Sequence, residues 1–92
     1  MKERRWAFIS SHGTVLIEVA RDPEATVREI AERVGLTERQ SHRVLADLIA
    51  EGYIVRERIG RRNHYRVEKS HTLRQPSVSQ RRVGDLLSLI GS

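Results

Sequence analysis

Apolar positions along this chain fall into four helix-spaced groups and one alternating stretch. Val15, Leu16, Val19 and Ala20 share a face over residues 12–21, at the i, i+3, i+4 spacing that stacks side chains along a helix. Val27, Ile30, Ala31 and Val34 repeat this over residues 27–34. Ser41, Val44, Leu45, Leu48 and Ile49 repeat it again over a third helix, from a cap at Thr37 to near Glu51. Beyond Gly52 the period changes. Tyr53, Ile54 and Val55 are strand formers, residues 56–59 alternate charged and apolar, and residues 65–67 resume the pattern, which predicts a two-stranded hairpin with Gly60-Arg61-Arg62-Asn63 as its turn. Val83, Leu86, Leu87 and Ile90 make a last helical stripe, about three turns long at the usual rise.

The polar residues between these groups mark where each element begins and ends. Ser10 or Ser11 can cap the first helix, and Asp22-Pro23 ends it, because proline disfavours helix in the residue before it. Thr26 with Glu29, and Thr37 with Gln40, have the spacing of capping boxes, in which each side chain satisfies a backbone donor that the first turn leaves free. Gly35 closes the second helix and Leu36 alone stands between it and the cap at Thr37. Two short capped helices joined in this way have the sequence form of a helix-turn-helix. Gly52 supplies the left-handed position that ends the third helix. Residues 69–80 are polar, contain Pro76 and read as a connecting segment. The expected organisation is an N-terminal arm over 1–9, one domain over 10–68, the connecting segment 69–80 and a C-terminal helix over 81–92. The fold class is mainly α with a small β-hairpin, α+β. An apolar stripe on a terminal helix either folds back on its own core or pairs with a second copy; pairing is the expectation.

Charge sharpens this picture. The 92 residues carry a formal net charge of +5. Residues 1–53 hold eight Lys or Arg against nine acidic residues, whereas residues 54–75 hold seven against two. The excess therefore sits on the hairpin and its exit. A hairpin tip cannot bury its side chains against its own domain, and a cluster of one sign creates the field that draws in a polyanion. Nucleic acid is the leading candidate partner.

Other chemistry finds little support. The chain has no cysteine, which excludes disulfides and thiol chemistry and fits a cytoplasmic protein. No apolar run approaches a transmembrane length, and no signal-peptide core follows the charged start at Lys2. His12, His42, His64 and His71 are scattered singles without the spacing of a metal site. Ser11 and His12 are adjacent on a helix and point apart, so they make no nucleophile and base pair. Glu29 and Glu32 are exposed carboxylates with Arg28 and Arg33 nearby. No catalytic constellation and no cofactor site are expected. A domain this small buries only on the order of 60% of its surface, and with one Trp, one Phe and two Tyr it has few large anchors.

Helix, helix-turn-helix and basic hairpin, in that order, resemble the winged helix-turn-helix of small bacterial and archaeal transcription regulators of the MarR and ArsR types. Residues 10–68 carry the resemblance. Within them IAERVGLTERQSHRVLADLIAEGYIVRERIGRRNHYRV is similar to the family pattern: an Ile-Ala pair, a turn Gly, a capped recognition helix ending in Leu-x-x-x-Gly, and a wing. The resemblance implies a winged helix-turn-helix with an added C-terminal helix, binding double-stranded DNA in sequence-specific fashion as a homodimer. The recognition helix, 38–51, would lie in the major groove and the wing, 54–67, on the flanking backbone or minor groove. Thr37 would then meet a phosphate at the helix start. Arg39, Gln40 and Arg43 would read base edges, with His42 beside them. Arg58, Arg61, Arg62 and Asn63 match the wing tip and would supply affinity.

The flanks depart from larger MarR-type regulators, whose long helices on both sides supply a dimer interface and ligand pocket. Here they comprise only residues 1–9 and roughly the last fifteen. Dimerisation is assigned to Trp6, Phe8, the first helix, Leu86, Leu87 and Ile90, and no small-molecule effector is evident. Plainer readings stand beside these. Thr37 caps its helix in any case, Arg43 can pair with Asp47 one turn on, and the wing arginines can be solubilising. A winged fold also serves as a protein-interaction module, with the basic wing against an acidic surface, or binds RNA, although a recognition helix has little access to the deep groove of an RNA duplex.

Overall fold

A computed structural model of the chain describes residues 9–73 and 80–90. In it α1 spans Ser11–Arg21, α2 Val27–Val34 and α3 Glu38–Ala50, followed by β1 Ile54–Ile59, β2 Arg62–Val67 and α4 Val83–Leu89. This is the α+β arrangement that the stripes and alternation predict, in the element order that the resemblance to a winged helix-turn-helix implies.

Each helix starts for a local reason. The Gly13 N–H donates to Ser10 Oγ at 3.1 Å, so α1 opens at Ser11 and the cap is Ser10. Thr26 Oγ1 accepts the Glu29 N–H at 3.1 Å while Glu29 Oε1 accepts the Thr26 N–H at 2.9 Å. Thr37 and Gln40 make the same exchange at 3.0 and 2.9 Å. Helices of 8 and 13 residues, marginal in isolation, are thereby started at fixed positions. Gly35 ends α2 in the left-handed region at φ 76°, where a Cβ would be strained, and the chain turns at once toward Thr37.

The core draws on every element. Val15 and Val19 of α1, Ile30 of α2, Ile54 of β1 and Val83 of α4 are all at most 1% exposed, and burying such a side chain contributes roughly 1.5–3 kcal/mol. From α3 come Val44, Leu45 and Leu48, together with Ser41, which is fully buried with a hydroxyl that has no partner among the described residues. Ion pairs tie the periphery: Arg33 of α2 reaches Asp22 at 3.2 Å and Glu18 of α1 at 3.8 Å.

The terminal stripe divides between two environments. Val83 and Leu87 sit in the same core as α1 and α3, whereas Leu86, Leu89 and Ile90 are exposed. The expectation that Leu87 joins Leu86 and Ile90 against a second copy is therefore corrected: Leu87 lies one turn from Val83 and follows it inward. Residues 69–73 are also more than a tether. The N–H groups of Val83 and Gly84 donate to the carbonyls of His71 and Lys69, each at 2.9 Å, and Thr72 bridges Arg82. The His71 ring stacks on Tyr53 with centroids 4.1 Å apart, and its nitrogens lie 2.8 and 2.9 Å from the Glu51 and Thr72 carbonyl oxygens. Trp6 and Phe8 lie outside the described residues, as does the second half of the connecting segment.

The hairpin turn is tighter than Gly60-Arg61-Arg62-Asn63. Ile59 pairs with Arg62 and Arg58 with Asn63, which leaves Gly60 and Arg61 as a two-residue turn and puts Arg62 and Asn63 in β2. Gly60 has φ 63° and Arg61 does not have positive φ. That sign pattern belongs to a type II′ turn, whose twist matches that of the paired strands.

A pH-dependent stability follows from the first capping box. The Glu29 carboxyl is held below the usual glutamate range, chiefly by the Thr26 backbone N–H and then by the Thr26 hydroxyl. Because the folded value is the lower one, this stabilisation is present at neutral pH and is lost as pH falls through that folded value. Thermal melts should show wild type more stable than Glu29→Gln near pH 7, the two converging below about pH 4.3. A constant gap down to acid pH would show that the charge of Glu29 adds nothing.

Candidate nucleic-acid interface

The burial of α3 decides which of its side chains can meet a partner. With Ser41, Val44, Leu45 and Leu48 turned inward, the opposite arc, at about 100° per residue, carries Arg39 and Arg43 with Gln40 at its edge. Thr37, Arg39, Gln40, His42 and Arg43 are all exposed. Only some of them are unoccupied. Thr37 and Gln40 hold each other in the capping box, so Gln40 Oε1 is already accepting the Thr37 N–H. A bidentate adenine contact would use that oxygen together with the amide NH2. His42 lies 3.8 Å from Glu38, one turn back.

Arg43 has been left without its obvious counter-ion. Asp47, one turn on, is engaged by α1: His12 Nε2 lies 2.8 Å from its carboxylate. A carboxylate only accepts, so Nε2 donates in this contact. The pairing of Arg43 with Asp47 weighed from the sequence does not form.

On the hairpin and its exit the acids are likewise committed elsewhere. Glu57 and Glu68 both contact Arg66, at 3.8 and 3.3 Å. Among the described residues, Arg39, Arg43, Arg56, Arg58, Arg61 and Arg62 take part in no ion pair. Strand register sorts the tip into two faces. Arg58 and Asn63 share the face that carries Tyr65 and Val67 inward at the base, while Arg62 lies on the other face opposite Ile59. Arg61 occupies the turn, and all four tip residues are exposed.

Arg56 was missing from the set predicted by sequence. It is exposed, two residues before Arg58 on the same face, and strand alternation was the signal that could have found it. No cluster of three or more His, Asp or Glu side chains able to hold a metal occurs among the described residues.

Compared with known protein families, residues 9–61 match the MarR family. The chain belongs to the MarR family. The match covers more than half of the chain, from the residue preceding the Ser10 cap through α1, the helix-turn-helix and β1 to Arg61 in the turn. It is thus a MarR-like winged-helix transcriptional regulator. No curated protein matches the chain. Within this MarR-family domain α3 is the second helix of the helix-turn-helix and the β1–β2 hairpin is the wing.

Proposed function

We propose that this MarR-family protein binds double-stranded DNA sequence-specifically as a homodimer, with α3 in the major groove and the wing on the flanking backbone or minor groove. One observation carries the reading. At the two places a winged helix turns toward a duplex, the outer arc of α3 and the wing tip, the arginines have no acidic partner, although Asp47, Glu57 and Glu68 stand close in sequence and are engaged elsewhere. Six guanidinium groups are kept for a polyanion.

The roles then divide by chemistry. Arg39 and Arg43 are suited to guanine, whose O6 and N7 match the guanidinium fork. Gln40 would read adenine only by sharing the oxygen that caps the helix. Thr37 and the first backbone donors of α3 would face a phosphate, with His42 at the margin. Arg58, Arg61, Arg62 and Asn63, joined by Arg56, would hold phosphates and supply affinity more than sequence choice. Such a regulator works in the cytoplasm beside the genome, without cofactor or catalysis. No helix of the described residues is long and apolar enough to cross a membrane.

Homodimerisation is assigned to the exposed face of α4, Leu86 and Ile90 with Leu89, and to Trp6 and Phe8 in the N-terminal arm. In support, Ile9 and Leu86 flank an open groove of about 590 Å³ whose floor includes Leu16, Leu48 and Tyr53. A palindromic site would be read by two copies, with half-sites about one helical turn apart.

Three outcomes are expected. The logarithm of duplex affinity should fall linearly with the logarithm of salt concentration, and replacing both Arg61 and Arg62 with Ala should flatten that slope by about two units; an unchanged slope would detach the wing from phosphate. Arg39→Ala and Arg43→Ala, compared on sites selected from a random duplex pool and on base-substituted versions, should each lose about 1–3 kcal/mol of discrimination at one position. Equal losses on every sequence would make them backbone contacts. In sedimentation, the chain should be dimeric and Leu89→Asp, at a side chain 86% exposed, should yield folded monomer. Wild type that stays monomeric at all concentrations would remove the homodimer from the reading.

A further inference from the structure

Exposed large apolar side chains of the described residues gather at one end of the molecule, with a single exception. Ile9, Leu86, Leu89 and Ile90 belong to the start of α1 and to α4; Ile59 stands apart, 61% exposed, at the tip of the wing. It closes β1 opposite Arg62 on the same strand face, immediately before the Gly60-Arg61 turn, with Arg58 beside it pointing to the other face. Further toward the core on the Ile59 side, Glu57 is held by Arg66. The outermost point of the protein's most basic element is thus a branched apolar group between cations that have no counter-ion among the described residues.

We propose that Ile59 is a wedge that enters the minor groove and partly unstacks a base step when the wing docks. This deepens the duplex-binding reading and rests on it. An isoleucine exposed to this degree gains little from its own fold, and a charged or hydroxylated strand residue there would be better solvated. Surrounded by unpaired arginines, it is brought to a phosphate-lined groove rather than to an apolar protein surface. There Arg58, Arg61 and Arg62 hold the two backbones while the side chain presses between bases, the arrangement by which apolar wedges kink a duplex toward its major groove. A narrow II′ turn with glycine at its first position keeps the tip two residues wide, slim enough for the groove. Selectivity follows without a base hydrogen bond. Pyrimidine–purine steps such as TA and CA unstack most readily, so the wing should favour them where it lands.

The probe is a short duplex selected for binding to the wild-type protein from a random-sequence pool, carrying dyes at its two ends and 2-aminopurine in the steps flanking the half-sites. Wild type should raise both energy transfer, by bending, and 2-aminopurine fluorescence, by unstacking. Ile59→Ser should abolish both signals and weaken binding about tenfold while leaving the salt slope unchanged, since no phosphate contact is removed. Ile59→Leu should retain both signals. Because the side chain lies outside the core, the circular-dichroism melt of each variant should match wild type. Equal bending and unstacking in wild type and Ile59→Ser would overturn the wedge, as would a straight, stacked duplex under tightly bound wild type. A wild type that binds no duplex at all would instead overturn the proposed function, and the wedge with it. If Ile59→Ser behaved as wild type on DNA but lost capture of an acidic peptide, the tip would be a protein-docking surface and the wedge would again fall.

Discussion

Everything that faces outward from this domain depends on how α3 is seated. Val44, Leu45 and Leu48 fix the rotation of the helix about its axis, and Ser41, fully buried, lets it approach its neighbours closely at the start of the stripe. Once that rotation is set, Arg39 and Arg43 have no freedom to point elsewhere. The same seating carries forward into the wing. Tyr53 and Ile54 are buried immediately after the left-handed turn at Gly52, so the hairpin leaves from the end of α3 in one direction only. A larger residue in place of Ser41 would tilt both candidate contact surfaces at once, although it touches neither.

The electrostatic design is one of selective neutralisation. The protein does not lack acids near its arginines: Asp47 lies one turn from Arg43, Glu57 lies between Arg56 and Arg58, and Glu68 follows the hairpin. Each is drawn off by another partner, Asp47 by His12 and the two glutamates by Arg66. Surface pairs of this kind contribute little to stability, roughly 0–1 kcal/mol. Their effect is on the field: with these acids engaged elsewhere, the guanidinium groups carry no ion pair among the described residues.

Much of this was legible in the chain, for identifiable reasons. Capping boxes at Thr26 and Thr37 are local, four-residue chemistry, and the helices begin where their spacing says. The stripes of α2 and α3 held the core-facing residues because each of those helices has one apolar face, whereas α1 also buries Ile17, which lies off the stripe of Val15, Leu16, Val19 and Ala20. Legibility failed where the answer depended on a partner element. Leu87 shares a stripe with Leu86 and Ile90, and nothing within α4 tells which row meets α1 and α3. The counter-ion of Asp47 lies 35 residues away in α1, beyond any i, i+4 rule. In the hairpin, the basic run Gly60-Arg61-Arg62-Asn63 looked like a turn by composition, whereas twist selects the shortest loop that Gly60 permits. The exposed arginines of α3 and the hairpin could be read from the chain, then, but the occupancy of each side chain came only from three-dimensional neighbours.

The two-residue turn has a further implication for how such a wing can change over evolutionary time. Side chains on β2 alternate between faces, so their placement depends on the pairing register that the two-residue turn sets. An insertion between Ile59 and Arg62 that slipped the register by one would send Arg62 to the face now bearing Asn63 and turn the inward pair Tyr65 and Val67 toward solvent. Substitutions at the tip are cheap and can retune its chemistry one position at a time. Single-residue slips of register are not, because they exchange the wing's two faces wholesale. The wing's charge pattern is therefore tied to its register, and any longer loop must keep Ile59 paired with Arg62.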